Sequence, residues 1–243
     1  MKGKKILLIS NTDGAQFKFR GSLIRTLNDS NEIISISSSK SPEGTYIKDL
    51  DKICSKVYCT PFVRQGVSSI KTPFILKRII TIEKPELIHI YGHEALLFSF
   101  LSILTYRSKY ILTITGLGIF FNPGTNIFKK LIKDLILFYY KIIIKKLDKV
   151  IFLNNHDMSV FSKKFPKQIK NFVRVHGEGS DFKINNKAKK RDGEITKFLY
   201  ASRIKEEKGI LELLEAFRHL PQKYQLNVLG SIDKSLEKNS LII

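Results

Sequence analysis

The stretch Tyr110-Ile111-Leu112-Thr113-Ile114-Thr115-Gly116-Leu117-Gly118 decides how the rest of the chain is read. Its first half is apolar and rich in β-branched residues, the pattern of a strand buried in a sheet. Its second half stops at a hydroxyl and two glycines. Glycine admits positive φ and lets the backbone come close to a bound group. In an open parallel sheet, ligands occupy the crevice beyond the carboxyl ends of the strands. The stretch therefore reads either as the floor of a binding site or as a strand followed by an ordinary turn.

Outward from it, strands and helices alternate. Residues 5–10 form an almost wholly apolar run, as in a strand buried on both faces of a parallel sheet. A polar loop, Asn11-Thr12-Asp13-Gly14-Ala15, follows. Residues 17–27 then have helical periodicity, with Phe19, Leu23 and Leu27 on one face. Residues 32–37 and 56–60 read as strands, and 68–83 as a basic amphipathic helix interrupted near Pro73. Residues 86–91 are a strand ending at Gly92-His93-Glu94, and 95–105 an apolar helix. Beyond the Tyr110 strand, 126–146 is the longest helix, 149–153 a strand, and 171–175 another after a helix reaching Phe165. This alternation predicts right-handed crossovers and a parallel α/β sheet of Rossmann-like type. The first loop lacks the full G-x-G-x-x-G of a dinucleotide site.

Residues 177–194 are polar and rich in glycine and asparagine, as a linker is. A second unit follows: a strand over 197–202, a loop over 203–209, a helix over 210–220 and a strand over 225–230. Two strands and a helix leave a parallel sheet with an uncovered edge. The division expected is 1–176 for an N-terminal Rossmann-like domain, 177–194 for the linker, and 195–243 for the start of a second Rossmann-like domain that reads as cut short.

The chain has 243 residues and a net charge of +20. A hydrophobic fraction of 43% fits a globular protein, so disorder is not the expectation. The charge suggests an anionic partner: phosphorylated substrates, anionic lipid headgroups or nucleic acid. Lysine exceeds arginine, which fits diffuse attraction better than base-specific reading. The lysines are spread along the chain and no nucleic-acid-binding motif is visible, so nucleic acid ranks last. Cys54 and Cys59 have odd spacing and would point to opposite faces of a strand, which disfavours a disulfide. No Cys/His cluster has zinc spacing, and no metal is expected. No signal peptide is apparent, and the apolar run 95–106 falls short of the roughly 18 residues of a spanning helix. The expected location is cytoplasmic, at the inner face of a membrane if peripheral.

The helix over 126–146 has two apolar sides. Phe128, Leu131, Leu135, Phe138 and Ile142 form the expected core side. The other side mixes Lys130, Lys133 and Lys141 with Leu137, Tyr140 and Ile144, a pattern that suits either a lipid surface or packing within the protein.

Taken in order, several short segments resemble a retaining glycosyltransferase of the GT-B class, family 4, of the kind that extends lipid-linked sugars. Phe17-Lys18-Phe19-Arg20 resembles an aromatic-x-Phe-Arg segment opening the first helix. Gly92-His93 follows the fourth strand, where that subgroup also places a histidine. Thr115-Gly116-Leu117-Gly118-Ile119-Phe120 resembles its x-Gly-Leu-Gly-x-aromatic loop, and Ile151-Phe152-Leu153-Asn154 the strand that closes the first sheet. Gly177-Glu178-Gly179-Ser180-Asp181 resembles its Gly-x-Gly-x-Asp hinge. Ser202-Arg203-Ile204-Lys205-Glu206-Glu207-Lys208-Gly209 is similar to the Gly-Arg…Lys-Gly signature that opens the second domain.

The resemblance implies a nucleotide-sugar co-substrate, most readily UDP-linked, with no other cofactor, and a lipid-linked glycan or surface-polysaccharide acceptor. It assigns Arg203 and Lys208 to the leaving diphosphate, Gly14 to the donor, and Arg20, His93, Thr115, Gly116 and Gly118 to the acceptor side. The chain departs from the family at Thr115, where many members have histidine, and at Asp13-Gly14-Ala15, with one glycine for two. The family's late Glu-x7-Glu element would lie beyond Leu241. Glu207 and Glu215 share that spacing on the wrong element and receive no donor role. Transfer by this chain alone is therefore open, and a non-catalytic membrane-binding module is the alternative.

Overall fold

The computed structural model describes residues 3–38, 45–60, 68–117, 127–179 and 195–232; of residues 68–69, 127–133 and 207 it describes the backbone only. The chain divides into two compact units, Met1–Phe182 and Lys183–Ile243.

In the first unit, β1 (Lys5–Ser10), α1 (Asp13–Asn28), β2 (Glu32–Ser37), the short α2 (Ile47–Asp51) and β3 (Lys56–Cys59) build one half. Then come α3 (Ser68–Glu83), β4 (Leu87–Tyr91), α4 (Gly92–Thr105), β5 (Lys109–Ile114), α5 (Ile127–Ile143), β6 (Lys149–Phe152), α6 (Asn155–Lys164) and β7 (Phe172–Arg174). The seven strands pair in parallel in the order β3-β2-β1-β4-β5-β6-β7. Strand order reverses at β1 and β4, whose last residues, Ser10 and Tyr91, are register partners. That switch point opens a crevice at the carboxyl edge of the sheet.

One core layer joins sheet residues such as Leu7, Ile9, Ile90 and Leu112 to α3, α4, α5 and α6. A smaller layer, including Leu8, Ile33, Ile24 and Leu50, lies under α1 and α2. The two layers are why β1, packed on both faces, is a continuous apolar run from Ile6 to Ile9. At the other edge of the sheet, Glu83 ties the end of α3 to β1 and β3. It accepts from Lys56 Nζ at 2.5 Å, from Lys5 Nζ at 3.5 Å and from the Tyr58 hydroxyl.

Two helices turn differently from their sequence pattern. On α1 the buried positions are Asp13, Gly14, Gln16, Arg20, Gly21 and Ile24, whereas Phe19 and Leu23 are exposed. On α5 the expected sides are exchanged. Leu135 and Phe138 are 61% and 63% exposed and Ile142 is also exposed, while Tyr140, and Ile144 in the turn just after the helix, are each 1% exposed and Leu137 packs against the core. The outward membrane face expected at Leu137, Tyr140 and Ile144 is thus corrected. Tyr140 is drawn inside because its hydroxyl finds a partner there, His93, and its ring packs edge-on to Phe161 at 5.4 Å. Lys141 is exposed beside Ile142. The side chains of Phe128, Lys130, Leu131 and Lys133 lie outside the described residues.

In the second unit, β8 (Thr196–Ala201) and β9 (Tyr224–Leu229) pair in parallel, joined through α7 (Ile210–Arg218). Ile204 and Ile210 form its small core with Tyr200, Leu213, Leu214 and Val228. Gly230 lets β9 pass close to β8, because a Cβ there would sit 1.7 Å from the Ser202 carbonyl oxygen. Among the described residues no helix is long and apolar enough to cross a membrane.

Candidate functional site

The carboxyl edge of β1, β4 and β5 gathers most of the sequence-predicted residues of the first unit. Thr12 caps α1, its Oγ1 accepting from the Ala15 amide at 3.2 Å. The Asp13 amide donates to the Ser38 carbonyl, and the Gly14 amide donates to Asp13 Oδ1 at 2.8 Å. Gly14 is buried and offers close backbone approach; its own N–H is engaged by the neighbouring carboxylate. Asn11 Nδ2 donates to Glu94 Oε2 at 2.9 Å and bridges the loop after β1 to the first turn of α4.

Arg20 is placed as a clamp, 4% exposed. Its Nη2 donates to Glu178 Oε1 at 2.5 Å, its Nη1 donates to the Ala15 carbonyl at 2.8 Å, and its guanidinium lies 4.1 Å from the Tyr91 ring centre. The chain of contacts continues inward. The Tyr91 hydroxyl lies 3.0 Å from His89 Nδ1, and His89 Nε2 lies 2.8 Å from Thr113 Oγ1. Burial, with the Arg20 charge adding to it, pushes the His89 imidazole down to about 3. Burial also holds the Tyr91 hydroxyl protonated. The network is thus assigned with Tyr91 donating to Nδ1 and the Nε2–H of a neutral His89 donating to Thr113.

His93 sits in the first turn of α4 and joins three elements. Its Nε2 is 2.8 Å from the Gly116 carbonyl oxygen, and its Nδ1 meets the Tyr140 hydroxyl. A carbonyl only accepts, so Nε2 carries the proton and Nδ1 accepts from Tyr140. Burial lowers the imidazole's pKa, opposed by the Gly116 carbonyl and the Asp157 charge, which favours the neutral form. His93 therefore holds the loop after β5 in place. Gly92 takes φ +84° there, and a Cβ on it would lie 3.4 Å from Thr115 Oγ1. Thr115 is exposed and Gly116 has φ +142°. Gly118 lies outside the described residues.

The sequence reading missed Ser10 and Gln16. The Ser10 hydroxyl, both polar atoms of the Gln16 amide and Arg20 Nε are buried without a hydrogen-bond partner. Unsatisfied buried polar groups are costly and call for a polar ligand or water. The signal was available as the polar spacing Asp13, Gln16, Arg20 on one side of α1.

In the second unit, Arg203 and Lys208 are both exposed on the loop that follows β8. The loop closes through a 3-10 turn, Glu206–Lys208, into Gly209 at φ +72°. It occupies the carboxyl end of its strand, where doubly wound sheets bind phosphates. Among the described residues no group of three or more His, Cys, Asp or Glu could hold a metal ion.

A scan of protein-family models and a search of curated proteins find no match. Solved structures share the fold. Sucrose-phosphate synthase from Thermosynechococcus elongatus superimposes with a TM-score of 0.70 at 15% identity, over 96% of this chain and 63% of that one. A glycosyltransferase from Rickettsia africae gives 0.63 at 17% identity, over 95% and 69%. A protein described as a putative UDP-N-acetylglucosamine 2-epimerase from Listeria monocytogenes gives 0.60 at 9% identity, over 99% and 66%. The chain thus has a GT-B type α/β fold and spans about two thirds of the length of these structures. That fold is shared by enzymes of more than one activity.

Proposed function

We propose that the chain serves sugar transfer from a nucleotide-sugar donor, UDP-linked in the first instance, to a lipid-linked or surface-polysaccharide acceptor. The observation that carries this reading is the loop after β8, which presents the two cations Arg203 and Lys208 at the strand's carboxyl end. A departing nucleoside diphosphate gains negative charge at its terminal phosphate, and fixed cations there lower the barrier. The acceptor hydroxyl oxygen forms the new bond to the anomeric carbon as the bond from that carbon to the phosphate oxygen breaks. The hydroxyl proton leaves with the diphosphate. Retention of configuration is what the family resemblance implies.

In the first unit, Gly14 would allow the donor to approach the backbone of α1. Thr115 and Gly116 would line the acceptor side, with Gly118 expected beside them. His93, neutral and held at both nitrogens, positions that loop and leaves proton transfer to the substrates. Arg20 shapes the crevice through Glu178 and Tyr91. The orphan amide of Gln16 and hydroxyl of Ser10 are suited to sugar or ribose hydroxyls.

The test is UDP release and labelled-sugar transfer with a panel of UDP-sugars and polyprenyl-phosphate-linked acceptors. The double variant Arg203→Ala, Lys208→Ala is expected to lose at least roughly 100-fold in rate. Unchanged transfer by that variant, or formation of the 2-epimer from UDP-N-acetylglucosamine with no transfer, would overturn the reading.

A further inference from the structure

Asp157 is a buried carboxylate without a part in the transfer proposed for the chain. It lies in the first turn of α6 and is 6% exposed. Its backbone amide donates to Asn154 Oδ1, the helix cap, at 2.8 Å. In a capping box the side chain three residues after the cap reaches back to the cap's own amide. Asp157 stands at that position, yet its Oδ2 is buried without a hydrogen-bond partner. A buried acceptor left unmet on such a group is costly, so its place calls for a donor brought by a ligand.

The neighbours fix where this carboxylate stands. β5 and β6 end side by side, with Ile114 and Phe152 as register partners. The loop bearing Thr115 and Gly116 and the start of α6 therefore share the carboxyl edge of the sheet. On α6 the buried residues are Asp157 and Phe161, one turn apart on one side of the helix. The Phe161 ring centre lies 5.4 Å from that of Tyr140 and 5.2 Å from that of Phe152. Asp157 is thus one turn nearer the edge than this aromatic cluster, on the side of His93 and Tyr140, and its charge acts on the His93 imidazole. Both neighbours direct their protons elsewhere. The Tyr140 hydroxyl donates to His93 Nδ1, and His93 Nε2–H donates to the Gly116 carbonyl. The start of a helix favours negative charge, so the missing donor need not be a cation. A diphosphate offers oxygen acceptors and negative charge, which a carboxylate repels. A sugar offers neutral O–H donors, and exposed Thr115 stands at the same edge.

We infer that Asp157 is a specificity-determining residue of the acceptor site, its Oδ2 accepting a hydrogen bond from a sugar hydroxyl other than the one that reacts. Its place in the reaction rests on the sugar-transfer reading; the hydroxyl contact rests on the geometry of Asp157 alone. An acceptor with a single hydroxyl would leave the carboxylate unmet, so the site selects a carbohydrate over a simple alcohol.

The first measurement needs no donor. Saturation-transfer NMR titrates the full chain with methyl glycosides of glucose, galactose and their 2-acetamido-2-deoxy forms, then with monodeoxy analogues of the glycoside that binds. The wild type is expected to bind at least one. Asp157→Ala weakens that binding roughly 10–100-fold, and Asp157→Asn, which keeps one acceptor oxygen, weakens it less. One monodeoxy analogue binds the wild type as weakly as the parent glycoside binds Asp157→Ala, with no further loss when the two changes are combined. Urea unfolding separates this contact from a structural part: the midpoint of Asp157→Asn equals or exceeds that of the wild type, because an unpaired buried charge is removed. The inference is overturned if the wild type binds no glycoside, if Asp157→Ala binds as well as the wild type, if no deoxy position removes the effect of the substitution, or if the midpoint of Asp157→Asn falls. Labelled-sugar transfer tells the two readings apart. Glycoside binding that depends on Asp157, with no transfer from any UDP-sugar, upholds the hydroxyl contact and counts against transfer. Transfer with an acceptor KM that Asp157→Ala leaves unchanged does the reverse.

Discussion

Replacing Glu178 by alanine is expected to cost the first unit roughly 3 kcal/mol of stability. The wild-type arrangement places the Arg20 guanidinium in the interior, bonded to the Glu178 carboxylate at 2.5 Å, with side-chain exposures of 5% and 15%. At an effective dielectric of about 20, two unit charges some 3–4 Å apart attract by about 4–5 kcal/mol. Water reaching the Glu178 end, and the Tyr91 ring face that remains, return part of that; a cation–π contact accounts for about 1 kcal/mol. Alanine leaves the cation buried without this carboxylate, and the cost stays near the lower end of the range for broken buried pairs. Equilibrium unfolding in urea followed by far-ultraviolet circular dichroism reads it out. With a slope of about 2 kcal/mol per molar urea, the midpoint of the first unit's transition falls by about 1.5 M. Replacing both partners, Arg20→Met with Glu178→Leu, removes both charges and restores most of the loss. A midpoint shift below about 0.3 M for Glu178→Ala would refute the clamp, as would a double variant less stable than either single one.

Two further predictions concern pH. Burial alone would raise the Glu83 carboxyl, but hydrogen bonds from Lys56 and Tyr58 hold it below its ordinary 4.5. A carboxyl lowered by folding stabilises above that ordinary value, and the stabilisation is lost as pH falls through the folded value. Thermal melts at stepped pH should therefore show Glu83→Gln with a flatter acid limb below about pH 4.5 and lower stability at neutral pH; parallel curves would contradict it. His89 is held down to about 3 from 6.5. The unfolded chain takes up a proton there before the folded one does, so stability is full above 6.5 and declines toward 3. His89→Asn should reduce the slope in that window by about 1 kcal/mol per pH unit, measured by urea midpoints between pH 6.5 and 5. An unchanged slope would place another group in control.

The strands of the sheet were legible because strands buried on both faces tend to be continuous apolar runs, as Ile6 to Ile9 is. The glycine turns were legible for the same local reason: Gly92, Gly116 and Gly209 stand where φ is positive. The facing of α5 was not legible. Both of its sides carry apolar residues, and the choice is made by a hydroxyl on Tyr140 whose partner, His93, is 47 residues away. Arg20 and Glu178 are 158 residues apart, so the interior position of that arginine has no local signature. Gln16 was hidden for a different reason. Phe19, Leu23 and Leu27 supply a plausible apolar stripe, yet the helix turns its polar residues toward the sheet because the crevice is there.

One imidazole spans the distance between a loop and a helix. His93 can satisfy the Gly116 carbonyl and the Tyr140 hydroxyl together only in one tautomer and one orientation. Whatever lifts the Gly116 carbonyl away strands a buried N–H, at a cost of about 1–3 kcal/mol, unless the ring turns and releases Tyr140 as well. The segment after β5 and the helix bearing Phe138 and Ile142 are in that sense geared. A displacement of that segment and a displacement of that helix therefore act on the same pair of hydrogen bonds.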